Sequence, residues 1–292
     1  MSPVSRRPAP VSDTPVISTA TPTRARRWPL PPLLQATAAV HAGAAGLTLA
    51  APALWPHALA ALVANHAVLA FTGLWPRSTA LGANVLRLPT ASAARGEIAL
   101  TIDDGPDPEV TPRVLDLLDA AGAKATFFCI GARAREHADL AREIVRRGHS
   151  VQNHSLAHRH TFSLLGPRAM RREIVAAQDA LAQACGQVPG LFRAPAGLRN
   201  PFLAPVLHHL GLRLVSWTRR GFDTRTRDPR LVLDRLLRGL RAGDILLLHD
   251  GNATRTADGI PIALAVLPGL LQAVAQQGLR CVTLPQALRD AD

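Results

Sequence analysis

The sequence predicts an α/β fold of about seven strands closing toward a barrel, set behind an N-terminal hairpin of two apolar helices. Three observations lead there. From Gly96 onward short apolar runs alternate with helical patterns, as parallel strands joined by helical crossovers require. Polar residues gather where five of those runs end. Trp28 to Pro76 contains no charged residue.

Residues 1–27, rich in Pro, Ser, Thr and Arg without a hydrophobic period, read as a disordered basic tail ending in Arg24, Arg26 and Arg27. Residues 28–76 divide at Trp55-Pro56 into two segments, each near the ~20 residues that cross a bilayer. Trp28, Trp55 and Trp75 stand at the three boundaries, where interfacial Trp belongs. Pro56 and His57 suit the intervening turn. The expected element is a two-helix transmembrane hairpin in contact with membrane lipid. A pair of buried or surface-lying helices is the alternative, because the segments are Ala-rich and carry Gln35, His41, Asn65 and His66. A cleaved signal peptide fits poorly, since the run starts late and a second one follows. Arg24, Arg26 and Arg27 precede the hairpin and Arg77, Arg87 and Arg95 follow it. By the positive-inside rule both flanks and the C-terminal domain face the cytoplasm of a bacterial inner membrane; a single span would make the domain periplasmic.

Residues 77–95 read as a linker and 96–292 as the catalytic-size domain. Its expected strands are 96–102, 124–130, 149–153, 191–194, 212–217, 244–249 and 280–284. The expected helices are 112–121, 133–147, 167–184, 201–210, 229–241 and 261–277.

Composition removes several classes. The chain has 292 residues, 48% of them hydrophobic and 18% charged, so it is not mainly disordered. Cys129, Cys185 and Cys281 form no CxxC pair, which excludes a disulfide framework and a zinc ribbon. The net charge of +12 invites a nucleic-acid reading, but its distribution opposes it. Eight arginines and one aspartate lie in residues 1–95, Lys124 is the only lysine, and tyrosine is absent. Arginine dominance fits a GC-rich genome, and few aromatic rings remain for bases to stack on. No nucleic-acid partner is expected.

The strand-end residues carry the chemistry. Asp103 and Asp104 follow the first strand, His154 and His158 the third, Arg193 the fourth, Trp217 the fifth, and His249-Asp250 the sixth. In α/β sheets and barrels these C-terminal strand ends form the ligand face. Two histidines at i and i+4 can share a metal ion, completed by a carboxylate from elsewhere. Of two adjacent Asp residues at a strand end, one can bind the metal while the other stays available as a base. A separate histidine can protonate a leaving group. The set matches metal-assisted hydrolysis of an amide or ester. Taken singly each signal is weak: eleven histidines produce HxxxH by chance, and Asp-Asp-Gly-Pro is also a good turn. His160, His208 and His209 read as surface or helix residues.

The strings TIDDGP (101–106), NHSLAH (153–158), RAPAG (193–197) and LLLHD (246–250) together resemble the polysaccharide deacetylases with a NodB homology domain, carbohydrate esterase family 4. The resemblance covers about residues 96–285. It implies a distorted (β/α) barrel and an N-acetylated carbohydrate substrate. Asp103 would be the catalytic base, and Asp104, His154 and His158 the ligands of a divalent ion, usually zinc, sometimes cobalt or another metal. Arg193 would orient Asp103. His249 would be the general acid, with Asp223 as its partner. Leu247 and Trp217 would line the substrate pocket, and a backbone N–H near Ala196 would donate to the oxyanion. The chain departs from the family at Ala196, where Tyr is common, at Thr224, where Trp is common, and at Ile102, where Phe is usual. Lost aromatic walls and an anchor together point toward a lipid-linked or membrane-proximal amino sugar; Arg219 and Arg220 either meet a phosphate or an acidic sugar or, as exposed Arg pairs more often are, stand merely solvated. The alternatives are the same hydrolase acting on a formamide, another amide or an ester, and a catalytically silent saccharide-binding membrane protein.

Overall fold

The computed structural model describes residues 28–289, so the expected basic tail, 1–27, lies outside the described residues. Two helices come first, α1 (Pro32–Ala50) and α2 (Trp55–Leu74), joined by a 3-10 turn at Pro52–Leu54. At ~1.5 Å per residue, their 19 and 20 residues reach about 30 Å, the thickness of a bilayer's hydrocarbon core. Both are long and apolar enough to cross a membrane. They pack antiparallel, and their polar residues meet across the seam. Thr37 Oγ1 donates to Asn65 Oδ1 at 3.1 Å, and the His41 and His66 rings lie edge to face at 5.2 Å. The outer surface is largely apolar, with Leu49 84% and Phe71 64% exposed, and also carries exposed Gln35, His41 and His66.

Next come α3 (Thr90–Ala94), β1 (Glu97–Asp103), α4 (Thr111–Ala120), β2 (Ala125–Cys129), α5 (Gly131–Glu136), α6 (Ala138–Arg146) and β3 (Ser150–Asn153). They are followed by α7 (Pro167–Cys185), β4 (Leu191–Phe192), α8 (Leu203–His209), β5 (Arg213–Leu214) and β6 (Arg219–Arg220). The chain ends with α9 (Pro229–Leu237), β7 (Ile245–His249), α10 (Ile262–Gln276), β8 (Arg280–Cys281) and α11 (Leu284–Leu288). The strands are parallel in the order β5-β4-β3-β2-β1-β7-β6, with β8 against the start of β1 at Glu97 and Ile98. This is a half-barrel sheet wrapped by helices.

Side-chain alternation sorts the sheet into two faces. Ile98, Leu100 and Ile102 of β1, with Leu246 and Leu248 of β7, join the core under the helices. Ala99, Phe128, Ile245 and Leu247 pack in a separate cluster on the opposite, inner face. Period two then fixes what tops that inner face. Asp103 follows Ala99 and Thr101, and His249 follows Ile245 and Leu247. Asp103 and His249 are register partners across β1 and β7.

Several expectations differ from the structure; the strands expected at 191–194 and 280–284 pair only at Leu191–Phe192 and Arg280–Cys281, and Leu284 opens α11. The run at 212–217 pairs only at Arg213–Leu214, and a further strand forms at Arg219–Arg220, where no apolar pattern announces it. The helix expected at 133–147 is two helices, broken at His137 (φ −117°, ψ 53°), so that α5 and α6 each pack on α7 at their own angle. The helix expected at 229–241 stops at Leu237, before Gly239 at φ 65°. The segment expected as a linker is packed into the domain. Leu81 and Leu88 are buried, and Val85 bridges to Val215: its N–H donates to Leu214 O at 2.9 Å, and its carbonyl accepts from Ser216 N–H at 3.0 Å. Leu88 N–H donates to Gly243 O at 2.9 Å, just before β7, so the segment reaches from the β5 edge to the start of β7.

Asp244, fully buried, secures that contact. It accepts from Arg87 Nη1 at 2.7 Å and from Arg219 Nε at 2.5 Å. Both arginines are partly solvated, which discounts the pair below a wholly buried one. We expect Asp244→Ala to destabilise the full chain in detergent by about 2–3 kcal/mol, read as a lower unfolding midpoint. An unchanged midpoint would show that the segment's backbone pairing suffices.

Candidate active site

The two adjacent aspartates are separated by backbone conformation. Asp103 ends β1 in extended geometry and points to the inner face. Asp104 turns to φ 76°, a left-handed conformation uncommon outside glycine, and so points elsewhere. Its carbonyl accepts from Arg133 Nη1 at 2.7 Å.

Asp103 is held by Arg193, whose Nη1 donates to Asp103 Oδ1 at 2.5 Å and to Thr101 Oγ1 at 2.8 Å. The remaining donors of Arg193 reach Val215 O at 3.3 Å and Ser216 O at 3.1 Å. Its guanidinium lies over the Phe128 ring at 4.1 Å. Burial pushes the Arg193 pKa down, opposed by the charge of Asp103. The pair is wholly enclosed, and all three guanidinium nitrogens donate hydrogen bonds.

His154 and His158 come from a compact loop after β3, not from a helical turn. Asn153 Oδ1 accepts from Ser155 N–H at 2.9 Å, and Ser155 Oγ accepts from His158 N–H at 3.0 Å. Ser155 and His158 both have positive φ, 64° and 46°. This bending brings His154 Nε2 to 3.3 Å and His158 Nε2 to 3.2 Å from the same oxygen, Asp104 Oδ1. His154 Nδ1–H donates to the Arg193 carbonyl at 2.8 Å, which turns the Nε2 lone pair toward Asp104. Burial, followed by neighbouring His154, lowers the His158 pKa to about 4, so its imidazole is neutral at ordinary pH.

Asp104, His154 and His158 offer one ligand atom each, all within 4.8 Å of one another. Asp104 Oδ1 is buried and lacks a hydrogen-bond donor. Such an atom is costly unless a cation faces it. One carboxylate oxygen and two imidazoles with inward lone pairs are the donor set of an open divalent site. The residues fit the ion.

His249 stands beside Asp103. Asp223, also buried, grips it twice: Oδ2 accepts from His249 N–H at 2.7 Å, and Oδ1 accepts from the ring Nδ1–H at 3.0 Å. Thr254 in turn donates to the Asp223 carbonyl from both N–H and Oγ1. Burial opposes protonation of His249, but Asp223, reinforced by Asp103 and Asp104, outweighs it and raises the pKa to about 9. The ring is therefore an acid at neutral pH.

A cavity of about 730 Å³ opens over these groups. Of the ten residues singled out in the sequence, Asp103, Asp104, His154, His158, Ala196, Trp217, Leu247 and His249 line it. Arg193 and Asp223 do not; they lie behind Asp103 and His249. Ala196 sits at φ 54° in the turn after β4. Three rim residues escaped the sequence reading. Arg133 Nη2 donates to Asn252 Oδ1 at 3.0 Å across the rim, and His160 stacks edge to face on His158 at 6.2 Å. His160 is thus at the site, not merely on the surface. No local motif marks any of the three.

The full chain, stripped and dialysed against a divalent ion, is expected to retain about one ion, and His158→Ala to weaken retention at least about tenfold. Equal retention by His158→Ala would exclude this triad as the site.

Comparison with known proteins identifies the family of the chain. The family model for polysaccharide deacetylase matches residues 91–215. A chitooligosaccharide deacetylase of Sinorhizobium fredii is 33% identical over 205 residues, spanning 68% of this chain and 95% of that protein. A peptidoglycan-N-acetylglucosamine deacetylase of Bacillus cereus is 32% identical over 194 residues, spanning 66% and 88%. Among solved structures, a family 4 carbohydrate esterase from Streptomyces lividans, in complex with acetate, superposes with a TM-score of 0.58. It is 34% identical and covers 64% of this chain and 91% of its own. With strand ends, motif order and relatives in agreement, the chain belongs to the polysaccharide deacetylases of carbohydrate esterase family 4, enzymes of the NodB-like fold.

Proposed function

We propose that the chain hydrolyses the N-acetyl group of an amino sugar in a polysaccharide, oligosaccharide or lipid-linked saccharide, releasing acetate and a free amine. The observation that carries the reading is the pairing of two oppositely prepared groups in one cavity. Asp103 is kept an acceptor by Arg193, and His249 is kept a donor by Asp223. They flank the Asp104–His154–His158 triad as register neighbours.

A divalent ion on the triad, zinc being the first choice for one carboxylate and two imidazoles, supplies Lewis acidity to water and to the amide carbonyl. The protein's residues do the rest. Asp103 accepts the proton of the attacking water. Its carboxylate stays oriented because Arg193 occupies one oxygen and leaves Oδ2 3.8 Å from His154 Nε2. The backbone near Ala196 donates to the developing oxyanion. His249 Nε2, left to the cavity because Nδ1 is committed to Asp223, protonates the departing nitrogen. Leu247 and Trp217 give an apolar seat for the acetyl methyl. Ala196 and Thr224 supply no aromatic wall to the cavity, Ile102 faces the helix side of the sheet, and Trp217 is left as the one indole or phenyl ring in the lining, which disfavours gripping a long glycan by stacking.

We further read α1 and α2 as a membrane anchor. Support comes from their length, from their largely apolar outer surface and from the Thr37–Asn65 hydrogen bond across the seam; His41 and His66 stay exposed. Arg87 and Arg95 are engaged by Asp244 and Glu97, so of that flank Arg77 alone reads as an orientation signal.

The test is acetate release by the full chain from N-acetylated glycans and lipid-linked sugars, before and after chelation and with a divalent ion restored. Metal-dependent release from at least one substrate is expected; none from any would refute the deacetylase reading. The pH profile adds an independent check. The acid form of His249 is lost as pH rises through about 9, so turnover should fall there. Removing the charge that raises this pKa, in Asp223→Asn, should move the alkaline limb down by about one to three units. An unmoved limb would assign it to another group.

A further inference from the structure

A second cavity, about 470 Å³, adjoins the first and shares Trp217 and Arg220 with it. Its floor is β6. One wall is the chain leaving α2, with Trp75 and Arg77, and the other is the end of α9, with Arg235 and Arg238. No carboxylate lines it. Arg219 shares Asp244 with Arg87, and Arg235 donates to Gly221 O at 3.2 Å and Thr226 Oγ1 at 2.9 Å. Arg220 is different. It lies between the Trp217 ring, 5.4 Å away, and the Phe222 ring, 5.1 Å away, and its buried Nε has no hydrogen-bond partner. The nearest acid in sequence, Asp223, is committed to His249. Phe222 is held at φ 63° while 44% exposed, a strained posture for an aromatic that packs under two guanidinium groups.

A cluster of arginines with no acid in the cavity lining, one of them half-buried with an unsatisfied Nε, calls for an oxyanion with several acceptors, and guanidinium matches phosphate in geometry. The location narrows the source. Trp75 caps α2, so the cavity opens where a spanning helix would leave the bilayer. Arg220 borders both cavities, so an anion bound there sits next to the group bound at the metal triad. In a 2-acetamido sugar carrying a phosphate on C1, the amide and the phosphate are on neighbouring ring carbons.

Building on the deacetylase reading above, we propose that this cavity receives the phosphate or diphosphate that joins an N-acetylated amino sugar to a membrane lipid. The sugar's acetamido group then enters the active cavity while the lipid runs past Trp75 along the hairpin. In the reaction water adds to the acetyl carbon, the C–N bond breaks, acetate and the amine leave, and the phosphate ester stays intact.

The test compares three substrates on the full chain in mixed micelles: farnesyl-diphosphate N-acetylglucosamine, the uncharged farnesyl N-acetylglucosaminide, and water-soluble uridine-diphosphate N-acetylglucosamine. The lipid diphosphate should show a KM at least about tenfold below the uncharged glycolipid, an advantage that shrinks as salt is raised. In an Arg77→Gln/Arg238→Gln variant the ratio of the two KM values should fall to within about threefold. Acetate release from both glycolipids at equal KM would overturn the phosphate site and leave the deacetylase reading standing. A lower KM for the nucleotide sugar would overturn the lipid assignment. No release from any of the three would overturn the deacetylase reading and this proposal with it.

Discussion

Arg193 and Asp103 form an ion pair inside the mouth of the sheet, and most of the site is arranged around keeping it there. Two charges this deep are tolerated only when their remaining hydrogen-bonding capacity is used. Arg193 uses its fork on Asp103, Thr101 and the carbonyls of Val215 and Ser216, and presses its flat face on Phe128. Breaking such a pair by removing one partner costs about 3–5 kcal/mol, because the survivor is left charged in an apolar place. The same residue's carbonyl accepts from His154. One arginine therefore orients Asp103, the proposed base, with its side chain and His154, a proposed metal ligand, with its backbone, so the two positions are coupled.

Strain is concentrated at this mouth. Among the described residues, Asp104, Ser155, His158, Ala196, Phe222 and Asn252 are the non-glycine residues at positive φ. All of them line one of the two adjoining cavities or abut a ligand histidine. Conformations of this kind cost of order 1–3 kcal/mol each and persist where surrounding structure over-determines them. Here hydrogen bonds within the 153–158 loop, the Arg133 contact to the Asp104 carbonyl, and the close fit of the strand ends supply that determination. The benefit is directional: a carboxylate and two imidazoles from two separate loops aim at one point.

The catalytic-size domain was legible because the chemistry lies at strand ends and strands have period two. Asp103 and His249 could be assigned to one face from the apolar residues two and four positions before them. The hairpin was equally legible from an uncharged run bounded by tryptophans. What escaped had no periodic signal. Strand β6 is two arginines whose pairing is set by neighbours, not by apolar alternation. The segment 77–95 joins the sheet through single backbone bridges at Val85 and Leu88, too short for any pattern. His137 breaks a helix without glycine or proline to mark the place. Arg133, Asn252 and His160 reach the rim by tertiary folding alone.

The central claim is that two adjacent carboxylates divide the work, Asp104 toward the metal and Asp103 toward the proton. It is tested most directly by measuring bound metal and turnover together in Asp103→Asn and Asp104→Asn of the full chain. The account predicts that Asp103→Asn keeps about one ion and loses turnover by at least about a hundredfold, whereas Asp104→Asn loses both. Loss of metal from Asp103→Asn with retention by Asp104→Asn would contradict it.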